Sequence, residues 1–312
     1  MRKGLALAAT GLMALGVIAC GDDDEGGGGA GGGEDLSGSI RIDGSSTVQP
    51  FAQAAVELFK RESPNVDITV GGAGTGDGFE KFCRGETQIS NASRAIEPDE
   101  TKLCQQEGIK PVEVQVANDG ITVASSKQLG VKCLTTAQLK KVFNKGSTVS
   151  KLSAIDPKLP DTELALFTPG EESGTFDFFT EEINGEEAVQ RTEGVQKSPN
   201  DNTLVTGVSG EEGGLGYFGF SFYDQNRDKL AAVSIDGGSG CVEPSLETIQ
   251  SGEYKPLSRP IFMYPSEAAL KKPEVKAFLT FANENYDKIA TAAKIVPMNE
   301  QQAAEAKAKL GG

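Results

Sequence analysis

The sequence predicts an α/β protein large enough for two lobes, and three observations support this. Strands and helices alternate along the chain from residue 39 onward. Small Gly-, Ser- and Thr-rich turns join several of the strands to the helix that follows. About 270 residues remain once the N-terminal stretch is set aside, enough for two ordinary lobes around separate cores.

The elements read in order as follows. Residues 39–42 alternate as a strand, and residues 52–61 carry apolar side chains at helical spacing until Ser63-Pro64 stops them. Residues 66–70 form a second strand, followed by a Gly-rich turn and a short helix at 79–83. This rhythm predicts a largely parallel sheet, which binds ligands at the carboxyl ends of its strands. A second set begins with a strand at 113–125, a helix at 136–143, a strand at 164–167 and a helix at 175–183. Residues 214–218 lead to a strand at 231–235, the chain turns apolar again at 260–264, and helical patterns occupy 273–290 and 300–310.

The N-terminus reads as an export signal. Basic Arg2 and Lys3 precede an apolar run at 5–18 that is too short for a permanent membrane span. The run ends in Val17-Ile18-Ala19-Cys20, which resembles a lipobox, so residues 1–19 are expected to be removed and Cys20 to carry the lipid. Residues 20–35 are almost all Gly, Asp and Glu and read as a flexible tether. Cleavage would leave 28 basic against 45 acidic residues, a net charge of −17, which makes nucleic acid an unsuitable partner. The chain has no His, which removes His-activated nucleophiles and the usual zinc ligand sets. Four cysteines follow Cys20, and outside the cytoplasm an even set points to two disulfides. Three pairings are possible; the favoured one is Cys83–Cys104, closing a local loop, with Cys133–Cys241 tying distant stretches together.

Three stretches share one design: Asp43-Gly44-Ser45-Ser46-Thr47-Val48-Gln49-Pro50, Gly74-Thr75-Gly76-Asp77-Gly78 and Glu172-Ser173-Gly174-Thr175. The first N–H groups of a helix lack partners and the dipole there is positive, so a helix start of this kind suits an oxyanion. Hydroxyls add donors, and glycine admits close approach. Any one stretch reads equally as an N-cap and a turn. Three of them, each followed by a helix, point to an anion cage. No G-x-x-x-x-G-K-S/T is present.

These stretches occur in order with Ile89-Ser90-Asn91-Ala92-Ser93-Arg94, Ser173-Gly174-Thr175-Phe176-Asp177, Gly214-Leu215-Gly216-Tyr217-Phe218 and Gly252-Glu253-Tyr254-Lys255-Pro256-Leu257-Ser258-Arg259-Pro260. In this the chain resembles the PstS family, the phosphate-binding proteins of the bacterial phosphate ABC transporter, over essentially everything after the tether. The resemblance implies a two-lobed periplasmic-binding-protein fold (type II, Venus-flytrap) with the ligand cleft between lobes. One lobe would be residues 36–119 plus 257–312, and the other 120–256, with the two crossings as hinge. It also implies a non-catalytic monomer without cofactor or metal, whose partners are inorganic phosphate and the permease subunits of the transporter.

Carried over by position, the phosphate ligands are Thr47 and Val48, Thr75 and Gly76, and Ser173, Gly174 and Thr175, with Ser46 and Ser93 beside them. One departure matters. The family's better-known members have an Asp where this chain has Arg94, and an Arg shortly before Ser-Gly-Thr where this chain has Glu171 and Glu172. The charges read as exchanged between lobes, with Arg94 as the bidentate cation. Glu172 or Glu171 would orient Arg94 or accept the phosphate proton. Without the family Asp, binding of another oxyanion such as sulfate or molybdate stays open. A secreted phosphatase is disfavoured because no His could activate Ser173.

Overall fold

In the computed structural model of the chain, residues 36–171 and 173–311 are described. The leader and tether, with Cys20, and also Glu172, lie outside the described residues.

The chain first lays down β1 (Gly38–Gly44), α1 (Gln49–Phe59), β2 (Val66–Val70), α2 (Thr75–Cys83), β3 (Ile89–Ala92) and α3 (Pro98–Gln106). The long strand β4 (Val114–Ser126) then carries it into a second group. That group holds β5 (Cys133–Thr135), α4 (Thr136–Phe143), β6 (Ala165–Thr168), α5 (Gly174–Phe179), β7 (Val195–Lys197), α6 (Asp201–Gly210), β8 (Gly214–Gly219) and α7 (Phe220–Asp224). It ends with β9 (Leu230–Ala232), β10 (Ser234–Asp236), β11 (Cys241–Val242) and α8 (Leu246–Gln250). Strand β12 (Ser258–Pro265) returns to the first group, which is completed by α9 (Pro273–Glu284), α10 (Tyr286–Ala293) and α11 (Glu300–Lys309).

Two separate apolar cores account for this division. One gathers Ile40, Phe51, Phe59, Ile89, Ala117, Ile261, Phe278 and Ile289, with Phe59 edge-on to Phe278. The other gathers Ile121, Val123, Phe143, Phe179, Tyr217, Tyr254 and Leu257, with Phe179 stacked on Tyr217 at 3.6 Å. Along β4 the side chains change cores between Ala117 and Ile121, and along the return they change between Leu257 and Ile261.

The largely parallel sheet expected from the sequence is corrected to a mixed one. β1 pairs in parallel with β2 and β3, and β6 with β7 and β8, but the strands joining these sets are antiparallel. The strand order is β2-β1-β3-β12-β4-β8-β6-β7, with β12 antiparallel to both β3 and β4. The reason is topological: a chain that leaves one lobe and later returns crosses the boundary in opposite directions, so β4 and β12 meet head to tail.

Local chemistry explains the element ends. Thr135 caps α4 by accepting from Gln138 N at 3.1 Å, and the Gln138 side chain returns the bond to Thr135 N. The single helix expected over 273–290 is two helices, because the backbone leaves helical geometry at Asn285. The helix expected over 175–183 is α5 followed by a π-helical turn at Thr180–Asn184. There Thr180 Oγ1 donates to the carbonyls of Phe176 and Asp177 and accepts from Ala188 N, which stabilises the wider turn. Cys83–Cys104 and Cys133–Cys241 are both bonded, the pairing the sequence spacing favoured.

Candidate functional site

A cavity of about 400 Å³ lies between the two sets of elements. From the first lobe it takes the loop after β1 (Ser45, Ser46 and Thr47), the start of α2 (Gly74, Thr75 and Gly76), and Ser93 and Arg94 after β3. From the second it takes Gly174, Asp177 and Phe178 of α5, with Glu181, Glu182 and Glu187 beyond. Arg259, Pro260 and Phe262 of β12 complete it.

The first-lobe loops are held by Asp43. Its carboxylate accepts from Gly44 N at 2.8 Å, from Ala73 N at 3.1 Å and from Lys81 at 2.5 Å, so one side chain ties the end of β1 to the loop before α2. Burial alone would raise its pKa, but the Lys81 bond and the two N–H bonds outweigh that and hold it below the usual aspartate value. Gly74, at φ 104°, precedes α2 in a conformation that other residues rarely adopt. Among the described residues no side chain caps α2, and Thr75 and Gly76 of its first turn line the cavity, so donors of that turn are left to it; at α1 the Gln49 N–H is already taken by Ser45 O and Pro50 has none, so α1 gives the cavity its preceding loop instead. Thr75 Oγ1 and Ser93 Oγ lie 3.1 Å apart and share a proton, which leaves the other hydroxyl hydrogen to a ligand.

The second-lobe helix start comes very close to these loops. A Cβ added to Gly174 would meet the Thr47 hydroxyl and its backbone N, the latter at 2.9 Å, so only glycine fits there. Ser173 Oγ caps α5 by accepting from Thr175 N at 3.2 Å.

Of the residues expected from the sequence, Ser46, Thr47, Thr75, Gly76, Ser93, Arg94 and Gly174 are brought to the cavity. Val48, Ser173 and Thr175 are not among its lining. Val48 is fully buried and its N–H bonds Ser45 O at 3.2 Å, because it belongs to the turn that starts α1. Arg94 does not pair with Glu171, and Glu172 lies outside the described residues. The Arg94 guanidinium bonds both carboxylate oxygens of Glu100, at 2.9 and 2.8 Å, and lies 3.3 Å from Glu97. Glu171 is occupied elsewhere, with Lys197 at 2.8 Å on the exposed edge of the second lobe. Proximity in sequence decides this, since Glu97 and Glu100 lie on the cap and first turn of α3, three and six residues beyond Arg94.

Sequence reasoning missed Arg259 and Asp177. Arg259 stands in register with Asp119 across β12 and β4, its Nε 3.5 Å from Asp119 Oδ2. Nη2 donates to Thr47 Oγ1 at 3.3 Å, and the guanidinium carbon lies 3.6 Å over the Phe178 ring. Burial pushes the Arg259 pKa down and the Asp119 pKa up, each partly offset by the other's charge. The Asp177 carboxylate makes no hydrogen bond or close ion pair among the described residues, and its pKa is pushed up to about 6, first by burial and then by Glu187, with Arg259 opposing the rise. The available signals were positional: Arg259 follows the second crossing, and Asp177 follows Ser-Gly-Thr. Among the described residues, no group of three or more His, Cys, Asp or Glu is placed to hold a metal ion.

Comparison with known proteins agrees with this architecture. The family model for the PBP superfamily domain matches residues 29–285. Protein SphX of Synechococcus elongatus is 39% identical over 83% of this chain and 77% of its own length. The Phosphate-binding protein PstS of Staphylococcus haemolyticus is 39% identical over 95% of this chain and 93% of its own. A crystal structure from Planctomyces limnophilus, described as "a possible phosphate binding protein", superposes with a TM-score of 0.83 at 41% identity, covering 89% of this chain and 99% of that one. With a family match over most of its length and near-full-length relatives at this identity, the chain belongs to the PBP superfamily, alongside PstS and SphX.

Proposed function

We propose that this chain captures inorganic phosphate between its two lobes and delivers it to the membrane permease of an ABC transporter. The observation that carries the reading is convergence. Hydroxyls, the loop after β1 and the uncapped start of α2 in one lobe face the start of α5 in the other across one cavity that also holds two arginines. That is what a small, multiply charged oxyanion requires and what an apolar ligand would not repay. Relatives at 37–39% identity carry the name Phosphate-binding protein PstS, which favours phosphate among oxyanions.

In this reading Ser46, Thr47, Thr75, Gly76, Ser93, Arg94 and Gly174 contact the anion, and Val48, Ser173 and Thr175 shape the helix starts around it. Residues 36–119 with 257–312 move as one body and 120–256 as the other, hinged where β4 and β12 cross. Residues 1–19 are the signal, Cys20 is the lipidated N-terminus, and 20–35 tether a monomer outside the cytoplasm. The protein acts by binding alone, without catalysis.

Calorimetry of the mature domain, stripped of bound anion, against phosphate, arsenate, sulfate and molybdate tests the proposal. Tight binding of phosphate with weak sulfate binding is expected; no heat with any oxyanion would sink it. Preference for sulfate or molybdate would favour the second reading, which rests on Arg94 standing where the family's Asp is expected.

A further inference from the structure

We propose that Arg259 is the principal cation of the anion site and that it binds from the strand crossing between the lobes, so that anion capture and lobe closure are one event. The inference rests on the oxyanion reading above.

Donor accounting separates the two arginines of the cavity. A guanidinium offers five N–H groups in a planar fork. Arg94 commits its Nη1 hydrogens to Glu100 and the Ala95 carbonyl, one Nη2 hydrogen to Glu100, and its Nε side to Glu97. Two carboxylates already balance its charge. Among the described residues Arg259 has one carboxylate within ion-pair distance, Asp119, while Glu181 and Glu182 act on it from further away, and the Asp119 contact is poorly aligned: neither Arg259 Nε nor Asp119 Oδ2 finds a well-formed hydrogen bond. Among the described residues Arg259 makes one hydrogen bond to a neighbouring side chain, to Thr47 Oγ1, and that is long at 3.3 Å. Most of its fork is therefore uncommitted.

Its surroundings make those open donors costly without an anion. The Arg259 and Asp119 side chains are only 16% and 11% exposed, and a buried pair with unmet donors is poorly compensated for lost hydration. A doubly charged oxyanion beside the hydroxyls of Thr47, Thr75 and Ser93 would complete the set with charge-assisted bonds.

Position supplies the coupling. Arg259 and Asp119 are register partners on the two strands that pass between the cores. The same guanidinium touches Thr47 of the first lobe and lies flat on Phe178 of the second. An anion held by Arg259 is thus held by a group seated on both walls, and the planar stacked face is available to Arg and not to Lys.

The test uses the mature domain, with calorimetry for phosphate and small-angle scattering for the ligand-dependent decrease in radius of gyration. Arg259→Lys keeps the charge opposite Asp119 and should still fold, with circular dichroism as the check. It is expected to weaken phosphate at least tenfold and to blunt the compaction, while Arg259→Gln should weaken phosphate more than a hundredfold. Arg94→Ala should weaken phosphate and blunt the compaction less than either. Wild-type phosphate affinity and full compaction in folded Arg259→Lys would overturn the inference while leaving the phosphate reading intact. Absence of oxyanion binding in the wild type would overturn both.

Discussion

Arg94 and Glu100 meet fork to fork, Nη1 on Oε2 at 2.9 Å and Nη2 on Oε1 at 2.8 Å. Glu100 is itself fixed, because Oε2 also accepts from Glu97 N at 2.8 Å in the capping box that starts α3. Arg94 thus reaches the cavity largely neutralised and with one donor to spare. Arg94→Ala is expected to cost about 1 kcal/mol of phosphate affinity, the ordinary net worth of one hydrogen bond, because its charge is already balanced by Glu100 and Glu97. Calorimetry of the folded variant decides; a loss of several kcal/mol would show that Arg94 carries the anion alone.

Gly174 and Thr47 belong to different lobes and leave no room for a methyl group between them. The backbone of Gly174 is in an ordinary region, so Gly174→Ala should fold with a melting temperature within a few degrees of wild type. Its phosphate affinity should drop at least tenfold, because the walls can approach only by displacing Thr47. Unaltered affinity in this variant would mean that the lobes bind phosphate further apart than the structure places them.

Much of the architecture was legible because it rests on local pattern. Alternation at residues 39–42 and 66–70 and the stops at Ser63-Pro64 are properties of short segments. The helix starts at Thr47, Thr75 and Ser173 announced themselves by residue type. Arg259 was illegible because its role depends on Asp119, far away in sequence and brought opposite it only by the antiparallel crossing. Glu97 and Glu100 as partners of Arg94 escaped for the converse reason: a charge pattern compared across lobes hid the acceptors on the cap and first turn of α3. The mixed sheet escaped because no local period encodes strand direction.

Asp43 offers a check on how the anion loops are held. Asp43→Asn removes the charge from bonds to Gly44 N, Ala73 N and Lys81, and should cost about 1–2 kcal/mol of stability. Its native pKa lies below the unfolded value of about 3.9, so this stabilisation is present above that pH and is lost as pH falls through the lower native value. Urea melts at pH 7 and pH 3 should show a larger wild-type advantage at pH 7 than at pH 3. An equal gap at both would assign the effect to shape and not to charge.

The two disulfides should differ in access. Cys83 and Cys104 are fully buried in a cluster with Phe79 and Tyr264, whereas Cys241 is exposed. Mild reductant on the native protein is expected to free Cys133 and Cys241 first, with Cys83 and Cys104 protected until unfolding. The larger closed loop, 108 residues against 21, should also make the loss of Cys133–Cys241 the more destabilising by about 1 kcal/mol. Alkylation and peptide mapping read the order; simultaneous labelling of all four would refute it.

Asp177 sets a pH dependence whose sign can be worked out. Burial raises its pKa to about 6, Glu187 and Glu181 add to the rise, and Arg259 opposes it; Glu182 and Arg94 face the same cavity. The unfolded value is about 3.9, so between roughly pH 4 and 6 the native state holds more protons than the unfolded chain. Stability from this group therefore grows as pH falls through that window and is lost as pH rises past about 6. Asp177→Asn removes the ionisation penalty, so it should raise the melting temperature by about 1–3 °C at pH 8, a gain limited by solvent screening, and by nothing at pH 4. A bound anion raises the proton affinity of Asp177 further, so phosphate binding near pH 7 should draw in protons. Calorimetry in buffers of different ionisation heat measures that uptake, corrected for the titration of phosphate itself by running the same series with Asp177→Asn. Identical proton uptake in wild type and Asp177→Asn would show that Asp177 does not sense the anion.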